Sequence, residues 1–157
     1  MEVIDRKKTG RYQTLISFLN IAHQKLLQAE VASPRLDAEV LMAENLNISR
    51  AELMTYPGRL LTCVEADNFL SKIERRVLRE PVSHIIGVKE FWSLEFSVNE
   101  KVLTPRPETE ILVDQCLKAL GKNSSPVRIL DLGSGSGILA IVLAKEVPHS
   151  QITAIEK

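Results

Sequence analysis

The stretch "RILDLGSGSGILAIVLAKEV" constrains this chain more than any other part of it. Val127 to Leu130 is, apart from Arg128, apolar and partly β-branched, which reads as a buried strand running into glycines. After the glycines, "ILAIVLAKEV" holds good helix formers and no breaker before Pro148. "QITAIE" then reads as a second strand. Strand, glycine turn, helix and strand make a βαβ unit, expected to be parallel and right-handed.

Spacing separates the ligands that such a turn can hold. A Walker loop needs a second glycine, then Lys and Ser or Thr, five positions after the first. Counting on from Gly133 reaches Ile138, so that reading fails. The dinucleotide fingerprint wants glycines at first, third and sixth positions. Here they fall at Gly133, Gly135 and Gly137, with Ile138 sixth, which weakens that reading. Asp131 stands immediately before the loop, where a pyrophosphate would meet a like charge and a cationic ligand would gain an ion pair. An acid, one residue and alternating glycines is the pattern of S-adenosylmethionine sites, whose ligand carries an ammonium and a sulfonium but no phosphate. Glycines at alternate positions let the backbone approach the methionine moiety without Cβ atoms in the way. Glu156 ends the next strand, where an acid commonly binds ribose hydroxyls. A glycine turn alone only closes a corner. Asp131, the three glycines and Glu156 together select a methyl donor.

Composition bounds the rest. With 157 residues there is room for one good domain, or a small one and part of another. Twenty basic and twenty acidic side chains cancel, so no basic face is implied and duplex nucleic acid is a poor partner. Cys63 and Cys116 match neither a metal spacing nor a disulfide framework and read as reduced cytosolic thiols. "MEVIDRKKTGRYQ" lacks an export core, and no apolar run approaches membrane-spanning length. The expectation is a soluble, cytoplasmic protein without metal.

The first half is helical by pattern. From about Tyr12 to Ala29, Leu15, Ile16, Leu19, Ala22, Leu26 and Ala29 recur on one helical face. Ser33 before Pro34 predicts an N-cap with proline at the first helical position, and Leu36, Val40, Leu41 and Met42 carry that helix to about Leu46. Ser49 to Glu52 and Thr62 to Glu65 are capping boxes. The first opens a short helix ending before Pro57, the second a longer one through Phe69, Leu70, Ile73 and Val77. None is long enough to be stable alone, so they are expected to form a small bundle. His23 reads as a surface or partly packed histidine, and "ERRVLRE" as a charged helix end suited to the dipole.

The pattern changes at Pro81. Trp92, Leu94, Phe96 and Val98 alternate with polar residues, which predicts a half-buried strand in a β-hairpin, with Trp92 packing rather than binding. In "LTPRPETE", two prolines around Arg106 stiffen the chain. Pro107 can then start a helix with Glu108 and Glu110 in its first turn and Ile111, Leu112, Cys116, Leu117 and Leu120 on its apolar face, ended by Gly121.

Taken in order, the helical half, "REPVSHIIGVKEFWSLEFSV", "VLTPRPETE" and "ILDLGSGSG" resemble the release-factor glutamine methyltransferases, the PrmC/HemK family, over essentially the whole chain. The resemblance implies a helical domain at 1–80 that docks the substrate, a β-hairpin linker at 81–104 and, from 105 to 157, the start of a Rossmann-like class I methyltransferase domain. The implied activity moves a methyl group from S-adenosylmethionine to the side-chain amide nitrogen of the glutamine in the Gly-Gly-Gln motif of class I peptide chain release factors. By position, Gly133, Ser134, Gly135, Ser136 and Gly137 would line the methionine part of the donor and Glu156 would hold the ribose. Arg106, Glu108 and Thr109 would border the pocket.

Two departures stand out. Glu156 replaces the Asp usual in the family, and the family's Asn-Pro-Pro-Tyr motif, which holds the acceptor amide, occurs nowhere in the 157 residues. No catalytic residue is therefore assigned, and the expectation is an inactive fragment whose sheet needs further strands. The competing readings are a fragment of a nucleic-acid adenine methyltransferase and a non-catalytic module that binds release factors.

Overall fold

The computed structural model describes residues 14–101, 103–121 and 126–157. Tyr12, the amino-terminal segment read for export signals and Val102 lie outside them. The chain divides into two compact units, one up to Ile86 and the other from Gly87.

Among the described residues the first unit holds five helices: α1 (Leu15–Gln28), α2 (Pro34–Leu46), α3 (Arg50–Thr55), α4 (Cys63–Val77) and α5 (Val82–Ile86). Both capping boxes form, with the Ser49 and Thr62 hydroxyls accepting from the Glu52 and Glu65 amides and the glutamates reaching back. Ser33 precedes α2 as expected, but its hydroxyl donates to Asp37 Oδ1 at 2.9 Å instead of capping the backbone. Leu15, Leu19, Ala22 and Leu26 of α1 are buried with Leu41, Met42, Leu53, Phe69 and Ile73 in one core. Phe18 joins them although the simple spacing passed over it.

Helix α2 departs most from the pattern. Leu36 is exposed, while Asp37 and Glu39 are buried. The reason is pairing. Arg76 donates to Asp37 Oδ2 at 2.7 Å, and Glu39 accepts from Arg35 at 2.6 Å and Arg50 at 2.8 Å. The arginines of "ERRVLRE" thus do more than suit a helix dipole. Arg75 pairs with Glu80, and Arg79 donates to the Glu30 carbonyl at 2.9 Å. His23 is half-buried, with Nδ1 closed off from solvent and unpaired among the described residues.

The second unit begins with an antiparallel hairpin of β1 (Val88–Phe91) and β2 (Leu94–Ser97). The expected strand position of Trp92 is corrected: Trp92 and Ser93 form the two-residue turn, with φ of 52° and 56°. Its side chain packs against the second core, and its backbone N–H donates to Glu110 at 2.9 Å. Helix α6 (Thr109–Leu120) starts just after Pro107 and ends at Gly121. Its inner face is turned from the expected one. Val113 is buried with Cys116 and Leu117 partly so, while Ile111 and Leu112 are exposed. Then follow β3 (Val127–Leu132), α7 (Ile138–Glu146) and β4 (Ser150–Ile155), with β3 and β4 parallel from Val127–Ser150 to Leu132–Ile155. Ile129 and Ile152 pack with Ile138, Val142 and Leu143, so α7 lies against one face of this pair. Leu130 and Leu132 point away and are exposed, so of the stretch read as a buried strand only one face is covered among the described residues. Among the described residues, no helix is long and apolar enough to cross a membrane.

Two predictions follow from packing and charge. A left-handed backbone at a residue with a Cβ costs about 1 kcal/mol, and the second turn position favours glycine. Ser93→Gly is expected to stabilise the second unit by about that amount, read as a higher denaturation midpoint. Burial alone would raise the Glu39 pKa, but the hydrogen bonds and charges of Arg50 and Arg35 outweigh it and hold the carboxyl below its ordinary range. A carboxylate with a depressed folded-state pKa adds stability above its unfolded pKa and loses it as pH falls through the folded value. Glu39→Gln is expected to cost about 1 kcal/mol at neutral pH, because both arginines are partly solvated, and to flatten the acid limb of a stability-versus-pH curve.

Candidate functional site

The site is built where β3 ends. Because β3 and β4 are parallel, their carboxyl ends lie side by side, and the glycine loop emerges next to the end of β4. The loop is fastened there by its own amides. Gly133 N–H and Ser134 N–H both donate to the Ile155 carbonyl, at 2.8 and 3.2 Å. Gly135 N–H donates to Glu156 Oε2 at 2.7 Å, and Gly137 N–H to the Ser134 carbonyl at 2.8 Å. Gly133, Gly135 and Gly137 have φ of 73°, 55° and 74°, a region that L side chains avoid. The alternating glycines therefore serve the backbone path as well as any ligand. Gly137 is also the residue from which α7 starts.

An open cleft of about 640 Å³ runs along this loop. Gly133, Ser134, Gly135, Ser136 and Glu156 line it, as do Arg106 and Thr109 from the proline segment and the start of α6. Of the residues expected at the site, Asp131, Gly137 and Glu108 do not line it. Asp131 Oδ2 is closed off from solvent and has no hydrogen-bond partner among the described residues. An unpaired carboxylate oxygen there is costly unless a donor or cation meets it. Lys101, Leu103, Pro105, Ile138, Leu139 and Lys157 complete the lining and were not foreseen. The proline spacing could have pointed to Pro105 beside Arg106. Lys101 and Lys157 carry no motif signal.

This geometry discriminates between ligands. A phosphate cradle presents free backbone N–H groups, whereas those of Gly133, Ser134, Gly135 and Gly137 are already bonded within the unit. What the loop offers a ligand is glycine Cα surface and serine side chains, flanked by the carboxylate of Glu156 and the cations Lys101, Arg106 and Lys157. Such a lining suits a nucleoside carrying an amino-acid tail, with acceptors for hydroxyls at one end and cations for a carboxylate.

Comparison with known proteins bears on the fold and the family. Residues 17–87 match the family described as the PrmC N-terminal domain. The chain is 45% identical over 131 residues to the release factor glutamine methyltransferase of Shewanella oneidensis, covering 83% of this chain and 45% of that protein. It is 44% identical over 137 residues to the corresponding protein of Coxiella burnetii, covering 87% and 48%, and 40% identical over 125 residues to that of Escherichia coli, covering 80% and 44%. In chain order, a helical bundle is followed by a hairpin and a partial βαβ, Rossmann-like arrangement. Over the part of those proteins that it spans, the chain belongs to the PrmC/HemK family of release-factor glutamine methyltransferases. It spans about half the length of the curated relatives it matches.

The strain in the loop can be measured apart from any ligand. A Cβ added at Gly133 meets no atom within 4 Å, so Gly133→Ala suffers only from its positive φ. We expect a loss of about 1 kcal/mol in thermal or urea unfolding, with the helical unit unaffected.

Proposed function

We propose that the chain carries the donor-binding end of an enzyme that transfers a methyl group from S-adenosylmethionine to the side-chain amide nitrogen of the glutamine in the Gly-Gly-Gln motif of class I peptide chain release factors. The observation that carries this reading is the inward engagement of the loop amides, which leaves a glycine-lined cleft without a phosphate cradle. In this reading Gly133 to Gly137 lie along the methionine moiety, Glu156 accepts from the ribose, and Arg106 and Thr109 border the donor, with Glu108 at the N-cap of α6, where its carbonyl accepts from the Ile111 N–H. Asp131 gives its unpaired oxygen to the donor's positive end once the loop adjusts. The three domain roles at 1–80, 81–104 and 105–157 belong to the same proposal, with the helices docking the release factor. The cytoplasm, where release factors act, is its proposed location.

When bound, the donor supplies a methyl carbon made electrophilic by its sulfonium. The chain's own residues bind and orient that group. Transfer also requires the neutral amide to be held in line, and the Asn-Pro-Pro-Tyr motif that does so in the family is not in these 157 residues. We therefore expect the chain to bind the donor without methylating a release factor at the rate of its longer relatives.

Calorimetric titration with S-adenosylmethionine and with NAD tests the donor site, and labelled donor with purified release factor tests transfer. Asp131→Asn keeps the shape and removes the charge, and is expected to weaken donor binding by about ten- to a hundredfold without loss of stability, since the oxygen it alters has no partner in the fold among the described residues. Unchanged affinity in that variant, or a preference for NAD, would sink the donor assignment.

A further inference from the structure

Glu156 does something in this fold that an acceptor for ribose hydroxyls need not do. Its Oε2 accepts from Gly135 N–H at 2.7 Å, across 21 residues of sequence. Gly133 and Ser134 are fastened to the adjacent Ile155 carbonyl, so the strand end grips the loop at three successive amides. Two of those grips are backbone and independent of side-chain identity. The third is not, and it falls on Gly135, the middle glycine, whose φ of 55° is itself unfavourable for an ordinary residue.

We propose that Glu156 is a positioning residue for the glycine loop as well as the acceptor for the donor's ribose, with the two tasks divided between its carboxylate oxygens. The proposal rests on the donor reading given above. An ionised carboxylate has about four acceptor positions on two oxygens. Oε2 is committed to the loop, which leaves Oε1 for a vicinal diol. The extra methylene of Glu over Asp has a physical use here. The longer arm reaches from the strand end back over the loop, whereas an Asp at this position would serve one partner and release the other. The same bond sets the loop's shape, so the two tasks are coupled: a loop released from Glu156 should bind every donor analogue less well, whether or not the analogue has hydroxyls.

Three substitutions separate the tasks in the full chain, since Glu156 is exposed and touches neither core. The loop readout is amide hydrogen exchange at Gly135 by NMR. The ribose readout is the ratio of affinities for S-adenosylhomocysteine and its 2′,3′-dideoxy analogue. Glu156→Gln retains an amide oxygen for Gly135 but loses the second acceptor, so exchange should hold while the preference for the diol falls by about tenfold. Glu156→Asp should do the reverse: exchange at Gly135 rises by about tenfold, both ligands weaken together and their ratio holds. Glu156→Ala should lose both. Unaltered Gly135 exchange in Glu156→Ala would overturn the positioning role while leaving the donor site standing. If the unmodified chain bound neither ligand, or both equally, the donor reading itself would fail, and the division of tasks with it.

Discussion

Parallel pairing of β3 with β4 is the constraint from which the site follows. Two parallel strands cannot be joined by a tight turn, so the chain must cross over through α7. The crossover places the end of the first strand beside the end of the second. Everything chemically useful sits at that edge: the loop leaves β3, doubles back onto the Ile155 carbonyl and launches α7 from Gly137. The glycines are needed because the path between those fixed points passes through left-handed backbone.

The helical unit is organised on a different principle. Its core is ordinary close packing around Phe69 and Ile73, but the register of α2 against α4 is set by charge. Arg76 joins Asp37 across 39 residues of sequence and also donates to the Glu80 carbonyl at 3.1 Å. Breaking one side of such a half-buried pair strands the other, so these ion pairs specify which faces meet more than they add net stability.

Local rules were legible in the sequence and long-range ones were not. Capping boxes depend on residues three apart, and Ser49–Glu52 and Thr62–Glu65 form as read. The glycine loop was legible because its spacing reflects backbone geometry that few other residues permit. The partners of Arg75, Arg76 and Arg79 were illegible, since no spacing rule links positions dozens of residues apart. Helix α5 was missed although Pro81 precedes it, because five residues give no periodicity to read. Trp92 shares the parity of Leu94 and Phe96, so alternation alone put it in the strand. The turn was hidden because neither Trp92 nor Ser93 is a residue that turns of this hand prefer. In α6, choosing Ile111 and Leu112 skipped Val113, the residue that shares a stripe with Cys116 and Leu117. At the cleft, Gly133 to Ser136, Glu156, Arg106 and Thr109 lie where the motifs put them, Asp131, Gly137 and Glu108 fall outside its lining, and Lys101 and Lys157 enter it through chain path alone.

The turn at Trp92 has an optical consequence. Trp92 is the single tryptophan of the chain, and it belongs to the second unit, where its indole N–H donates to Glu146 Oε1 at 3.1 Å, at the far end of α7 from the glycine loop. Tyr56 and the rest of the bundle contribute no indole signal. Emission excited at the red edge of aromatic absorption therefore reports the βαβ unit and its hairpin alone, while far-ultraviolet ellipticity is dominated by the helices of the first unit. The chain carries a built-in means of watching one half while the other is perturbed, and of telling whether the two melt as one body or in succession.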